Sequence, residues 1–189
     1  WVSEWIRAST WAFALLEVPR RRVLLSRDRF GIKPLYLAIR NGVLYFASEI
    51  KALLAVPDLP REPNERSVAR FLLTGLVDDT TDTFFADICQ LPAAHWLSVP
   101  LDQPSAGTPT AYWGFPPVTF PGTEEEATER FRELFFDAVR IHMRSDVPVG
   151  TCLSGGLDSS SIVCAADVLR RRGELSAYTH HAFGYRSPD

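Results

Sequence analysis

The chain has 189 residues, 46% of them hydrophobic and 23% charged, with a formal net charge of −3, so it carries no overall positive field to attract nucleic acid. No run approaches the ~20 apolar residues that span a bilayer, and the N-terminus lacks the charged-then-apolar pattern of a secretory signal. The three cysteines, Cys89, Cys152 and Cys164, have no close partner and no His at ligand spacing, which argues against a disulfide framework or zinc knuckle and for a reducing cytosol. Each is expected to be a small buried residue.

Residues 11–47 read as β-rich. Trp11–Leu16, Val23–Ser26, Leu35–Ile39 and Val43–Ala47 are short apolar runs separated by turn residues. Asn41-Gly42 is a favoured hairpin pair, because both positions tolerate positive φ. Ser48 is placed to cap a short helix through Ala55, and Asn64 a second helix with Val68, Phe71 and Leu72 on one face. Ala93–Val99 reads as a further strand. From Pro100 to Gly122, prolines at 100, 104, 109, 116, 117 and 121 rule out a regular helix or a central strand, and predict a linker. Thr123 and Glu126 then form a capping box. Ala127, Phe131, Leu134, Phe135, Ala138 and Val139 follow at helical spacing. The only methionine is Met143 and the chain opens at Trp1, which reads as an internal piece of a longer protein.

The chemistry concentrates after that helix. Residues 146–153 read as a strand entering a buried parallel sheet, and they run into Ser154-Gly155-Gly156-Leu157-Asp158-Ser159-Ser160. Residues 161–172 read as helical, with Gly173 as C-cap. A strand, a glycine turn and a helix in that order make an anion site. Glycines let several N–H groups converge, and the helix N-terminus adds about half a positive charge. Ser154, Ser159 and Ser160 offer hydroxyls without bulk. Asp158 is unfavourable in such a cradle unless a cation lies between it and the phosphates; Mg2+ fits that place. A Walker A loop is ruled out because Gly156 stands where lysine is required. The loop suits a pyrophosphate that leaves as a unit, which implies attack at the α-phosphorus and an adenylated intermediate. A plain capped helix needs one hydroxyl or carboxylate residue, whereas four such groups flank two glycines here.

SGGLDSS at 154–160 resembles the PP-loop of the ATP pyrophosphatases. With Arg144–Gly150 before it, it is similar to the glutamine-hydrolysing asparagine synthetase family. Arg27–Tyr36 and Phe46–Leu53 resemble the later part of that family's glutaminase domain, and Leu91–His95 its Leu-Pro-Pro-Gly-His run. The resemblance implies an α+β sandwich of the Ntn-hydrolase class over residues 1–99, a linker at 100–122, and an α/β PP-loop synthetase domain with a parallel sheet from 123 to 189, both domains being incomplete. It implies ATP and Mg2+, with Leu153, Ser154, Gly155, Gly156, Leu157, Asp158, Ser159 and Ser160 at the nucleotide and Asp158 on the metal. Its small-molecule partners are ATP, aspartate or another carboxylate, and glutamine-derived ammonia. No nucleic acid or membrane is implied, and a homodimer of the full-length cytoplasmic protein is expected. In the family a terminal cysteine hydrolyses glutamine, ammonia passes through a tunnel, and the aspartate side chain is adenylated and amidated.

Residue 1 is Trp, and the usual glutamine-binding blocks are not in this sequence, so no glutaminase catalytic residue is retained. The chain alone is expected to be inactive. Two alternatives remain open: a β-lactam synthetase-like or lasso-peptide cyclase-like ligase on the same scaffold, and a degenerate nucleotide-binding scaffold protein. Arg27 and Asp28 are expected to hold the fold by charge pairing. Tyr112-Trp113 is expected to pack the linker. His180-His181 is expected at a strand edge or in solvent, and the arginine triplets at 20–22 and 170–172 are expected on solvated turns and helix ends.

Overall fold

Asn41 and Gly42 both take positive φ (51° and 74°) and turn β3 (Tyr36–Arg40) directly into β4 (Val43–Ala47), with Arg40 paired to Val43. That hairpin, as the sequence predicts, anchors a three-stranded antiparallel sheet in the order β4-β3-β5, where β5 is Cys89–Gln90. A second antiparallel sheet contains β1 (Ala12–Glu17), β2 (Arg22–Arg27), β6 (His95–Pro100) and β7 (Thr110–Ala111), in the order β1-β2-β6-β7. The computed structural model describes residues 10–115, 117, 119–175 and 180–184. These fall into two compact units, Thr10–Pro116 and the chain from Pro117 onward.

In the first unit the strand alternation sorts side chains into two cores. Leu37 joins Leu25, Leu97 and Val99 in a cluster shared by both sheets, while its neighbours Tyr36 and Ala38 face a second cluster with Leu53, Leu59 and Ile88. Leu53 belongs to a four-residue helix, α1 (Ile50–Leu53). Its N-cap is Glu49 and no side chain caps it, so the expected Ser48 cap is corrected. A single turn held by the packing of Leu53 and Ile50 does not depend on a cap. Asn64 does cap α2 (Glu65–Thr74), its Oδ1 accepting from Ser67 N at 3.2 Å. The expected apolar face of α2 is only partly covered: Val68 is half-buried and Phe71 meets Phe84 edge-on at 5.5 Å, while Leu72 is 76% exposed. The proline-rich stretch is not wholly a connector. Tyr112 N donates to Ala94 O, and the two-residue β7 pairs with β6 at the sheet edge, a place where flanking prolines cost no ladder bond.

The second unit starts at the capping box. Thr123 Oγ1 accepts from Glu126 N at 3.3 Å, and Glu126 Oε2 accepts from Thr123 N at 2.9 Å, opening α3 (Glu124–His142). Only the later part of its apolar stripe is covered. Val139 packs with Ala165, Ala166 and Leu169 of α4 (Leu157–Arg171), with Phe135 and Phe136 beside them, whereas Phe131 and Leu134 stay exposed. β8 (Val149–Leu153) precedes α4 and pairs parallel with β9 (His180–Gly184), giving one strand–helix–strand crossover. The strand expected at 146–153 thus begins at Val149. It is not buried on both faces, since Gly150 and Cys152 are exposed. Gly173 takes φ +73°; its N–H donates to Arg170 O and that of Glu174 to Leu169 O, a Schellman ending for α4.

Candidate functional site

The bend between β8 and α4 is where the sequence places its chemistry. Gly155 has φ +81°, a conformation that a side chain resists, and this turns the chain from strand to helix in two residues. Gly156 is the N-cap of α4 and has no side-chain cap bond. The first three N–H groups of a helix lack an intrahelical acceptor, so in this fifteen-residue helix those of Leu157, Asp158 and Ser159 stand at the N-terminal end without one. The serines that resemble caps do something else. Ser154 Oγ lies 3.0 Å from Ser159 Oγ, and Ser159 Oγ donates to Gly156 O at 3.3 Å. The hydroxyls are therefore linked across the bend, leaving the helix end uncapped. Ser160 N bonds Gly156 O at 3.1 Å as the first regular helical link.

Residues 154–158 are exposed, and Leu157 is 82% exposed, an orientation that keeps its bulk out of the turn. Asp158 is in the first turn of α4, where the helix dipole favours a carboxylate. Leu153 ends β8 in register with Gly184. The chain thus brings together all eight residues from Leu153 to Ser160 that the sequence singles out. Uncapped amides, two hydroxyls and one accessible carboxylate suit a phosphate group accompanied by a hard cation.

The first unit contains a different polar cluster. Arg27 is 9% exposed and Asp28 2%. Arg27 donates to Lys33 O (2.9 Å), Gly31 O (2.7 Å), Leu91 O (2.8 Å) and Gln90 Oε1 (3.0 Å). Asp28 accepts from the N–H groups of Trp11, Phe30, Ile32 and Lys33 at 2.9–3.3 Å. Burial pushes the Asp28 carboxyl up, but these four donors outweigh it and hold the pKa below its ordinary value. The expected charge pairing is corrected: Asp28 is spent on backbone N–H groups, and Arg27 on three backbone carbonyls and the Gln90 side chain. Tyr112, expected to pack the linker, donates to Arg27 O at 2.7 Å and stacks on Trp11 at 6.1 Å.

The cysteines also need correction. Cys89, Cys152 and Cys164 are all exposed. Strand alternation turns Cys89 away from the side that Ile88 and Gln90 occupy, and Cys164 lies off the Ala165–Ala166–Leu169 face of α4. Arg170 and Arg171 pair with Asp167, and Arg20 and Arg22 with Glu17, as helix-end and turn positions allow. Among the described residues no group of three or more His, Cys, Asp or Glu is placed to hold a metal, and no helix is long and apolar enough to cross a membrane.

An antiparallel two-sheet unit followed by a strand–loop–helix–strand unit defines a two-module protein. The glutamine amidotransferase domain family matches residues 7–113, and the asparagine synthase family matches residues 130–188. A Methanocaldococcus jannaschii protein named provisionally as asparagine synthetase [glutamine-hydrolyzing] 2 is 32% identical over 93% of this chain and 33% of its own length. Asparagine synthetase [glutamine-hydrolyzing] 2 of Bacillus subtilis is 35% identical over 80% of the chain and 21% of its own length. Amidase chry2 of Gibberella zeae is 36% identical over 86% and 24%. The chain belongs to the asparagine synthetase family. It spans a third or less of the length of these relatives.

Proposed function

We propose that this chain supplies the end of an Ntn-type glutaminase sandwich and the PP-loop of an ATP-dependent, amide-forming ligase. In that reading the protein that carries it uses glutamine as nitrogen donor and aspartate as acceptor, giving asparagine, glutamate, AMP and pyrophosphate through a β-aspartyl adenylate. The observation that carries the proposal is the helix end at Gly156, where five small or hydroxyl-bearing residues of the bend leave the first-turn amides uncapped. Such a helix end favours a phosphate oxygen over its own side chains.

In this mechanism the chain's own residues bind and orient. Gly155 and Gly156 let the backbone approach the β- and γ-phosphates. Ser154 and Ser160 donate to their oxygens, Ser159 does so by turning its one proton away from Gly156 O, and the α4 dipole stabilises charge that grows on the departing pyrophosphate. Asp158 would hold Mg2+, whose chemistry is to neutralise the phosphate oxygens. The absence of lysine at position 156 agrees with cleavage at the α-phosphorus, because nothing grips the terminal phosphate alone.

A second reading differs only in the acceptor: another carboxylate, as in β-lactam synthetase-like or cyclase-like ligases. The relatives named Amidase chry2 and Amidase chyE favour keeping it, since they do not bear the name of asparagine synthetases.

The test is carboxylate-dependent exchange of labelled pyrophosphate into ATP by the protein that carries this chain. Exchange is expected with aspartate, and Asp158→Ala is expected to slow it about 100-fold or more. Exchange with a different carboxylate alone selects the second reading. Exchange by Asp158→Ala at the wild-type rate contradicts the role of Asp158, and no exchange with any carboxylate contradicts the ligase.

A further inference from the structure

Between α2 and β5 the chain runs Asp78-Asp79-Thr80-Thr81-Asp82-Thr83, a concentration of acids and hydroxyls that the ligase chemistry does not use. This stretch borders a cavity of about 50 Å3 whose lining includes Tyr36, Ser67, Asp78, Asp82, Thr83 and Gln90. Several of these groups are already engaged. Thr83 Oγ1 donates to Ile88 O at 2.7 Å and accepts from Phe85 N at 3.1 Å. Gln90 is held at both ends, its Oε1 accepting from Arg27 at 3.0 Å and its Nε2 donating to Asp78 Oδ1 at 3.3 Å.

One group is left without a partner, and two acids lie beside it. Ser67 is 7% exposed, and its Oγ has no hydrogen-bond partner. Asp82 is half-buried and Asp78 is exposed, with one oxygen on Gln90; neither forms an ion pair among the described residues, and no basic side chain lines the cavity. A buried hydroxyl without a partner is unfavourable, and the two acids with no basic neighbour give the cavity a negative lining. A bound water needs about 10–15 Å3 on this measure of volume, so there is room for an ion with a few waters. Neutral water alone satisfies Ser67 and leaves the carboxylates unneutralised. A divalent ion is not matched by the lining, because hard divalent ions take more carboxylates or keep a large hydration shell.

We propose that this cavity binds a small monovalent cation, of potassium or ammonium size, held by Ser67 Oγ and the carboxylates of Asp78 and Asp82. Asp78 and Gln90 also line a larger cavity of about 440 Å3, which offers a way in. The bound ion ties residues 77–83 to the three-stranded sheet β4-β3-β5, through Tyr36 and Gln90.

The experiment is thermal unfolding of the chain in potassium, ammonium and choline chlorides at one ionic strength, choline being too large to enter. At about five times the dissociation constant, linkage gives a saturable rise of about 2–4 °C in potassium or ammonium over choline. Asp82→Asn is expected to abolish the rise and Ser67→Ala to reduce it. Crystals soaked in thallium(I) provide a readout that survives a misfolded variant: an anomalous peak is expected within coordination distance of Ser67 Oγ. Equal unfolding temperatures in all three salts, a rise that persists in Asp82→Asn, a site holding water without anomalous signal, or displacement of thallium by equimolar calcium would each overturn the proposal.

Discussion

Two polar clusters in this chain use the same kinds of group for opposite ends. Around Arg27 and Asp28, the polar capacity is consumed inside the chain, through bonds to the backbone of Gly31, Lys33, Leu91, Trp11, Phe30 and Ile32 and to the Gln90 side chain, and both residues are buried. Around Gly155 and Gly156, the hydroxyls are linked to each other, the helix end is left uncapped, and residues 154–158 are exposed. A loop whose polar capacity is consumed internally is architecture. A loop that holds polar capacity in reserve, on a backbone shaped by positive-φ glycine, is prepared for something outside the chain.

Substitutions should separate the two. The largest effect on stability is expected at Asp28. Asp28→Ala strands four N–H groups in a buried setting and should cost the first unit about 3 kcal/mol or more, read as a fall in the urea midpoint. The pH dependence sharpens the point. Because the folded-state pKa of Asp28 is lowered, its contribution is complete above the unfolded value of about 3.9 and is lost as pH falls through the folded value. Asp28→Asn should flatten that part of the stability–pH curve. Arg27→Lys comes next, at about 2 kcal/mol. An ammonium cannot reproduce a planar fork that reaches Lys33 O, Gly31 O, Leu91 O and Gln90 Oε1 together. Gly173→Ala should cost about 1 kcal/mol through its φ of +73°, seen as a small drop in unfolding temperature. Asp158→Ala is the smallest in stability, within about 0.5 kcal/mol. It should nevertheless weaken Mg·ATP binding about tenfold in a titration of the chain. A large loss of stability at Asp158 would erase the contrast between the two clusters.

How much was legible in advance follows the range of the interactions. The Asn41-Gly42 hairpin, the Asn64 cap, the Thr123–Glu126 box and the Gly173 ending are all written within four or five residues, and each appears in the structure. The bend at 154–160 is equally local, so its glycine geometry was readable, although the serines bond one another rather than capping α4. Long-range matters were not readable. The partners of Arg27 at Gln90 and Leu91 lie 63 and 64 residues away, so charge pairing with the adjacent acid was the natural expectation and the wrong one. The exposure of Cys89, Cys152 and Cys164 depends on which side of each element is covered, and small apolar character does not specify that. The exposed Leu72 on the apolar face of α2 is the same case: periodicity marks an apolar stripe without saying what covers it. The orphaned hydroxyl of Ser67 has no signature at all in a list of residues.

The central claim concerns the uncapped start of α4, and amide resonances report on it directly. Titrating Mg2+ and pyrophosphate into the isotope-labelled chain should shift the N–H signals of residues 155–160, saturably, and leave those of Phe30, Ile32 and Lys33 in place. Asp158→Ala should demand more ligand for the same shifts. If the 155–160 signals stay still, or move no more than those of the Asp28 loop, the bend is not a pyrophosphate cradle.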